Sequence, residues 1–184
     1  CFTQTSEFPD PEEAKYPINV ITIYSTLHKQ FFTWGRHGDY TPTQDNVNYI
    51  RCKTEKELLN NFLAYWQAFT PDVMSGWNSE FFDLPYIINR IKTVFYDEKA
   101  KILSPVKNIY YRENVSQTFG RSNGKWYIRG LSCIDYMEAY KKFSRGDRSS
   151  YSLDYISSYE LGEGKIKFNA TDLSKLAITD WKTF

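Results

Sequence analysis

Residues 72–91 constrain the fold of this 184-residue chain more than any other stretch. The stretch opens with a short apolar run at residues 73–74, breaks at Ser75 and Gly76, and continues through aromatic and polar residues to Asp83. From Leu84 onward, apolar residues recur at near-helical spacing, which predicts a helix that begins at Asp83 or Leu84. A buried strand that leads into a helix through a polar turn places that turn at the carboxyl end of a sheet. Open α/β sheets bind their ligands there.

The residue types around Asp83 predict a helix cap. Asp is a favoured N-cap residue, because its carboxylate accepts a hydrogen bond from a free backbone N–H of the first turn. Pro85 falls within that turn, where its missing N–H costs nothing. On these residues alone, Asp83 is a cap more often than a ligand-binding group.

Residues 76–91 resemble the second exonuclease motif of family B DNA polymerases, in the form found in the replicative polymerases of large tailed phages. The motif consists of Asn, then Phe or Tyr, then an Asp that binds a catalytic metal, and these places are held by Asn78, Phe82 and Asp83. The resemblance implies that Asp83 is catalytic and binds metal, and that Asn78 and Phe82 contact DNA. A carboxylate can cap a helix with one oxygen and bind an ion with the other, so both interpretations stay open. The alternative for Asn78 is a turn residue that bonds its own backbone.

Composition excludes several classes of protein. The chain is 41% hydrophobic and 18% aromatic, which predicts one packed domain over residues 1–184 and excludes disorder. A net charge of +1 means that nucleic acid can be bound only through local patches. Three cysteines without a C-x-x-C spacing are typical of a reducing compartment. We therefore expect a cytoplasmic protein, in the host cell if viral, with no membrane association.

The order of predicted elements is typical of a mixed α/β domain. Strands are predicted at residues 18–24, 30–34 and 47–52, as an antiparallel meander with a strand at 73–76 added alongside. A helix over residues 56–69 opens with the capping box Thr54 to Glu57 and should bury Trp66 and its apolar neighbours. The resemblance specifies this further as the ribonuclease-H-like exonuclease fold, a mixed β-sheet flanked by helices.

The C-terminal half continues the same pattern and the same resemblance, with the middle loops differing most. A hairpin is predicted around residues 122–124, followed by a strand to Asp135, which we interpret as a structural residue, and by a helix to residue 143. Residues 141–148 are the most basic stretch. They form either a solvated surface or a contact to phosphate through Lys142 and Arg148, and the sequence does not decide between these two interpretations. A capped helix is predicted from residues 149–157, closing at Leu161 and Gly162.

The resemblance implies two-metal hydrolysis of the primer 3′ end, with Mg²⁺ or Mn²⁺ held by about four carboxylates. The family takes two acids from a D-x-E motif, which should lie at or just before residue 1, and one from a late Tyr-x-x-x-Asp, which should follow residue 184. Neither motif is present at its expected place. Glu12 and Glu13 are poor substitutes, since adjacent residues of an extended segment point to opposite faces. We therefore expect a central piece of the exonuclease domain that lacks its first and third motifs and is inactive when isolated.

Phe8 matches an aromatic residue that stacks on the unpaired terminal base in this family; its alternative is a hydrophobic anchor for an acidic loop. The implied partners are single-stranded DNA at the primer 3′ end, the remainder of the polymerase chain and, through it, a sliding clamp. Two rival functions remain open. One is a non-catalytic module of the same fold that binds single-stranded DNA, and the other is a free-standing ribonuclease-H-like nuclease.

Overall fold

A computed structural model describes residues 9–115 and 122–164, together with residues 176 and 179–181. Its first sheet has three strands in the order β1 (Val20–Ser25), β2 (Gln30–Gly35) and β3 (Val47–Arg51). β1 and β2 form an antiparallel hairpin with Ile21 opposite Trp34. β3 runs parallel to β2, so the predicted antiparallel meander is wrong at its third strand. The connection over residues 36–46 is long enough to carry the chain back to the starting end of β2, as a parallel pairing requires.

Helix α1 (Glu55–Ala68) covers this sheet and is close to its prediction. Thr54 is the N-cap and accepts a hydrogen bond from the Glu57 backbone N–H at 3.1 Å. The Trp66 side chain is 5% exposed and donates its indole N–H to the Leu103 carbonyl at 2.9 Å. Five apolar residues of the helix are buried: Leu58, Leu59, Phe62, Leu63 and Trp66. Phe69, expected on the same face, follows the helix and is exposed.

The strand–turn–helix unit predicted from residues 72–91 is present. Strand β4 (Val73–Gly76) leads through a turn into α2 (Asp83–Val94), which begins at one of the two predicted positions. A short helix, α3 (Asp97–Ala100), and a 3-10 turn (Lys101–Leu103) follow. The buried face of α2 carries the motif's apolar residues, so the helical spacing seen in the sequence corresponds to the face that packs against the core.

A second pair of strands forms the predicted hairpin, β5 (Ile109–Val115) with β6 (Ser122–Ile128), in antiparallel register. The turn expected at residues 122–124 is wrong, because these residues are paired within β6. Strand β7 (Ser132–Asp135) then pairs in parallel with β4. Within the described residues, β4 is paired with β7 and not with the three-stranded sheet, which corrects the expectation that it lies alongside the first three strands. Both strands lead directly into helices, and such strand–helix units favour parallel neighbours.

Two C-terminal helices complete the described structure. Helix α4 (Tyr136–Phe143) is capped by Asp135, and each of its residues is at least partly exposed. Helix α5 (Leu153–Leu161) is capped by Ser152 and ends at Gly162, whose positive φ of 72° suits glycine at a helix C-terminus. The helix predicted from residue 149 starts about four residues later, and it ends at Leu161 and Gly162 as expected. The architecture is mixed α/β, as expected. None of the helices in the described part of the chain has both the length and the apolar character needed to cross a bilayer.

A buried ion pair joins α2 to α1. Arg90 and Glu55 contact each other through two hydrogen bonds of 2.7 Å, and both residues are 9% exposed. Arg90 also donates to the carbonyls of Ala14 and Lys15, and Glu55 accepts from the backbone N–H of Ile18. This network joins two helices to the segment that precedes β1.

Candidate active site around Asp83

The turn between β4 and α2 is built from its own backbone. Asn78 has a left-handed conformation with φ of 58°, which Asn tolerates better than most residues. Its carbonyl accepts from the Phe82 N–H at 3.1 Å, and the Ser79 carbonyl accepts from the Leu84 N–H at 2.8 Å. Gly76 is needed at the start, since a Cβ there would lie 2.9 Å from the Ser79 side chain. These local contacts contribute to the shape of the turn.

Asp83 is the first residue of α2, and the N-cap position belongs to Phe82, whose aromatic side chain cannot accept a hydrogen bond. The expectation that Asp83 is the N-cap is therefore wrong by one position. As the first helical residue, Asp83 lies at the positive end of the helix dipole, which stabilises a negative charge. Its carboxylate is half-buried and lines a cavity beside the helix.

The cavity next to Asp83 has a volume of about 280 Å³. Its walls come from β1, β4, α1 and α2, and include Ile21, Met74, Ser75 and Leu84. Among the described residues, β1 pairs only with β2 and β4 only with β7, so both present unpaired edges. The cavity thus lies between two strand edges, with mostly apolar walls and Asp83 as its acid.

The described residues do not form a two-metal site. Nowhere in residues 9–115, 122–164, 176 or 179–181 do three or more His, Cys, Asp or Glu side chains group so that they could hold a metal ion. One carboxylate cannot balance two divalent cations, which take most of their ligands from carboxylate oxygens. The metal-binding role of Asp83 therefore stays a prediction.

The two other motif residues are both half-buried, and each makes contacts within its own part of the motif. Asn78 is half-buried in the turn, with its backbone N–H engaged. Phe82 is also half-buried, and its ring stacks on Tyr86 of α2 at a centroid distance of 5.9 Å. Phe81, which the sequence did not single out, is the more exposed of the adjacent phenylalanines at 40%. Phe8, another predicted DNA contact, lies outside the described residues.

Asp135 joins the turn to the neighbouring strand. Its carboxylate is 4% exposed and accepts backbone N–H groups from Asn78 and Glu80 at 3.0 Å and from Met137 at 2.9 Å. The sequence indicated a structural residue at a strand end, and these contacts agree. The sequence could not indicate that two of the donors belong to the Asp83 turn.

The basic stretch places its two predicted DNA contacts in different surroundings. Lys142 is exposed near the end of α4, with its ammonium group 5.5 Å from the Phe143 ring centre. Arg148 instead links α4 to α5, donating to the Tyr140 hydroxyl at 3.0 Å and lying 4.5 Å over the Tyr159 ring. Its DNA-binding role remains a prediction, whereas its role between the helices is visible in the structure.

A second groove of about 490 Å³, which sequence reasoning missed, lies beside α4. Lys125 of β6 pairs with the buried Glu80 at 2.6 Å, and Lys141 and Lys142 line the rim. Burial, and then the negative charge of Glu80, raises the pKa of the Cys133 thiol in this groove. The groove is assembled from the motif turn, a hairpin and a helix, so no local pattern could have marked it.

Comparison with known proteins agrees with the motif and the fold. The family model of the DNA polymerase family B exonuclease domain matches residues 1–156. The DNA-directed DNA polymerase of Escherichia phage RB69 is 37% identical over 95% of this chain and 22% of its own length. That of Enterobacteria phage T4 is 28% identical over 97% of this chain and 22% of its own length. The DNA polymerase delta catalytic subunit of Candida albicans is 26% identical over 98% of this chain and 17% of its own length.

The chain thus spans about a fifth of the length of these relatives. The match covers the β4–turn–α2 unit, the Asp83 cavity and the Asp135 contacts together. The resemblance inferred from residues 76–91 is confirmed. The chain belongs to the exonuclease domain family of the family B DNA polymerases.

Proposed function

We propose that this chain is the central part of the 3′–5′ proofreading exonuclease of a longer DNA-directed DNA polymerase. Asp83 is its catalytic carboxylate. The observation that carries the proposal is the place of Asp83, at the end of a strand–turn–helix unit and facing a cavity between two strand edges. The family match and the names of the relatives, which are DNA polymerases, support it.

Exonuclease domains of this family use divalent metals, and the proposed cofactor is a pair of Mg²⁺ or Mn²⁺ ions. Because three or more acidic or other metal-binding side chains do not group anywhere in the described residues, the remaining acids would come from outside that part of the chain. The isolated chain is therefore expected to lack nuclease activity. What the chain itself contributes is an acid at a helix N-terminus and a cavity with mostly apolar walls beside it.

The proposed substrate is the single-stranded 3′ end of a primer in the host cell cytoplasm. Phe8 and Phe82 would stack on terminal bases, and Asn78 would hydrogen-bond near the last nucleotide. Lys142, exposed near the end of α4, would contact a phosphate, as would Arg148. The rest of the polymerase chain, and a sliding clamp bound through it, are the proposed protein partners.

The test is degradation of single-stranded DNA with Mg²⁺ or Mn²⁺ by the parent polymerase and its variants. Asp83→Ala should abolish degradation and leave nucleotide addition largely unchanged, since addition uses a separate site. Asp97→Ala is the matched control, because Asp97 is also the first residue of a helix but is exposed. Retained proofreading in Asp83→Ala would refute the catalytic role. Metal-dependent cleavage by the isolated chain would refute the claim that its site is incomplete.

A second function is favoured by one observation. The absence of an acidic cluster among the described residues suits a module that binds single-stranded DNA without cleaving it. Such a module would bind an oligonucleotide with unchanged affinity after Asp83→Ala, and its parent would show no exonuclease activity. A free-standing nuclease would instead show activity without an attached polymerase region.

A further inference from the structure

The buried carboxylate of Asp135 accepts backbone hydrogen bonds from both neighbours of Ser79, in the turn that precedes Asp83. One oxygen, Oδ1, accepts the N–H groups of Asn78 and Met137, and the other, Oδ2, accepts that of Glu80. At 4% exposure, the carboxylate has little water to replace these donors. Charge-assisted bonds of this kind are stronger than bonds between neutral groups.

These contacts reach Asp83 through the backbone. Asn78 and Glu80 flank Ser79, whose carbonyl accepts the N–H of Leu84 at 2.8 Å. Leu84 directly follows Asp83, so the peptide bond between them is held to the Ser79 carbonyl. Both neighbours of Ser79 in the chain are in turn bonded to Asp135. A shift of this turn would therefore move the first turn of α2 and its acid.

The same carboxylate is anchored from the other side. Asp135 ends β7, where it lies opposite Gly76 of β4 in the parallel register, and it caps α4 through the Met137 N–H. Two strands, the motif turn and a helix start thus meet at one side chain. This is more than helix capping requires, since a cap needs only the bond to its own helix.

We infer that Asp135 is a positioning residue for phosphodiester hydrolysis, acting through the turn to hold Asp83 in its working place. The inference rests on the proposed function. Because a displacement of about 1 Å at a reacting group can cost on the order of a hundredfold in rate, loss of the Asp135 contacts should slow hydrolysis. It should not prevent binding of DNA.

The first experiment measures amide hydrogen exchange on the 184-residue chain. Asp135→Ala should speed exchange at both Asn78 and Glu80. Asp135→Asn should speed exchange at Glu80 alone, because the amide oxygen keeps the two Oδ1 bonds and its NH₂ group replaces the Oδ2 acceptor. Thr54→Ala is the control, since it removes a cap that contacts only α1. Unchanged protection at both amides in Asp135→Ala would overturn the inference.

The second experiment measures hydrolysis of single-stranded DNA by the parent polymerase. Asp135→Ala should lower the rate at saturating DNA by tenfold or more, with the half-saturating DNA concentration unchanged, and Asp135→Asn should fall between it and the parent. Thr54→Ala should retain the parent rate. A parent-like rate in Asp135→Ala, or an equal loss in Thr54→Ala, would overturn the inference. If Asp135→Ala does not fold, the hydrolysis rate of Asp135→Asn tests the inference by the same criteria. Retained hydrolysis in Asp83→Ala would instead show that the proposed function is wrong.

Discussion

The buried pair between Arg90 and Glu55 allows a stability prediction with a magnitude. Arg90→Met removes the guanidinium and leaves the Glu55 carboxylate, 9% exposed, with the backbone N–H of Ile18 as its remaining bond at 2.7 Å. Breaking a buried pair by removing one partner costs about 3–5 kcal/mol, because the other charge stays buried without compensation. This is a large part of the roughly 5–15 kcal/mol that stabilises a typical domain.

The assay is urea unfolding of the chain followed by tryptophan fluorescence. With a denaturant dependence of about 2 kcal/mol per M, the loss corresponds to a midpoint shift of about 1.5–2.5 M. Lys101→Met is the matched control. Lys101 forms an ion pair with Glu98 of similar length, 2.6 Å, but the two side chains are 39% and 69% exposed. Exposed pairs contribute at most about 1 kcal/mol, so the control should shift the midpoint by less than about 0.5 M.

The double variant Arg90→Met/Glu55→Met separates the two parts of this cost. Removing the second charge should recover part of the stability lost in Arg90→Met, because no uncompensated carboxylate then remains. The reasoning would be refuted if Arg90→Met cost no more than Lys101→Met. It would also be refuted if the losses in the two single variants simply added in the double variant.

Two further predictions concern the turn and the pH dependence of stability. Gly76→Ala places a Cβ 2.9 Å from the Ser79 side chain, so it should destabilise the chain by about 1–3 kcal/mol and slow hydrolysis by the parent polymerase. An unchanged unfolding midpoint together with an unchanged hydrolysis rate would contradict this. Burial, and then the Arg36 charge, lowers the pKa of His37 below its ordinary value of about 6.5. The unfolded chain therefore binds this proton more readily, and the His37 contribution to stability is present above pH of about 6.5 and is lost as the pH falls from there towards the folded pKa. His37→Gln should flatten that part of the curve of unfolding free energy against pH, and an unchanged slope would show that His37 is not the group responsible.

Several features were predictable because they depend on neighbours in sequence. The capping box at Thr54, the apolar face of α1 and the start of α2 at Asp83 each follow from residues within one or two helical turns. The pairing of β5 with β6 was also predictable because the two strands are close in sequence, although the residues expected to form their turn lie within β6. The family resemblance also rests on a local motif, since Asn78, Phe82 and Asp83 are close together in the chain.

Pairings between distant segments were not predictable in this way. Strand β3 could pair with β2 in either direction, and β4 could join either sheet, because a strand's alternation of side chains specifies its faces and not its neighbour. The one-position error at Asp83 has a different origin. Asp was assigned to the N-cap by its residue preference, whereas in the structure Phe82 holds that position and Asp83 is the first helical residue.

The sequence by itself determined the α/β class, the central strand–turn–helix unit and the acid that it carries. Only the tertiary structure decided that Asp83 faces a cavity between two strand edges and that Asp135 holds its turn from 55 and 57 residues away in sequence. It also decided that Arg90 neutralises Glu55, at a separation of 35 residues. The physical reason is that local conformation follows from sterics and hydrogen bonds within a few residues. A buried charge, by contrast, takes its partner from whichever distant segment the packed core brings within reach.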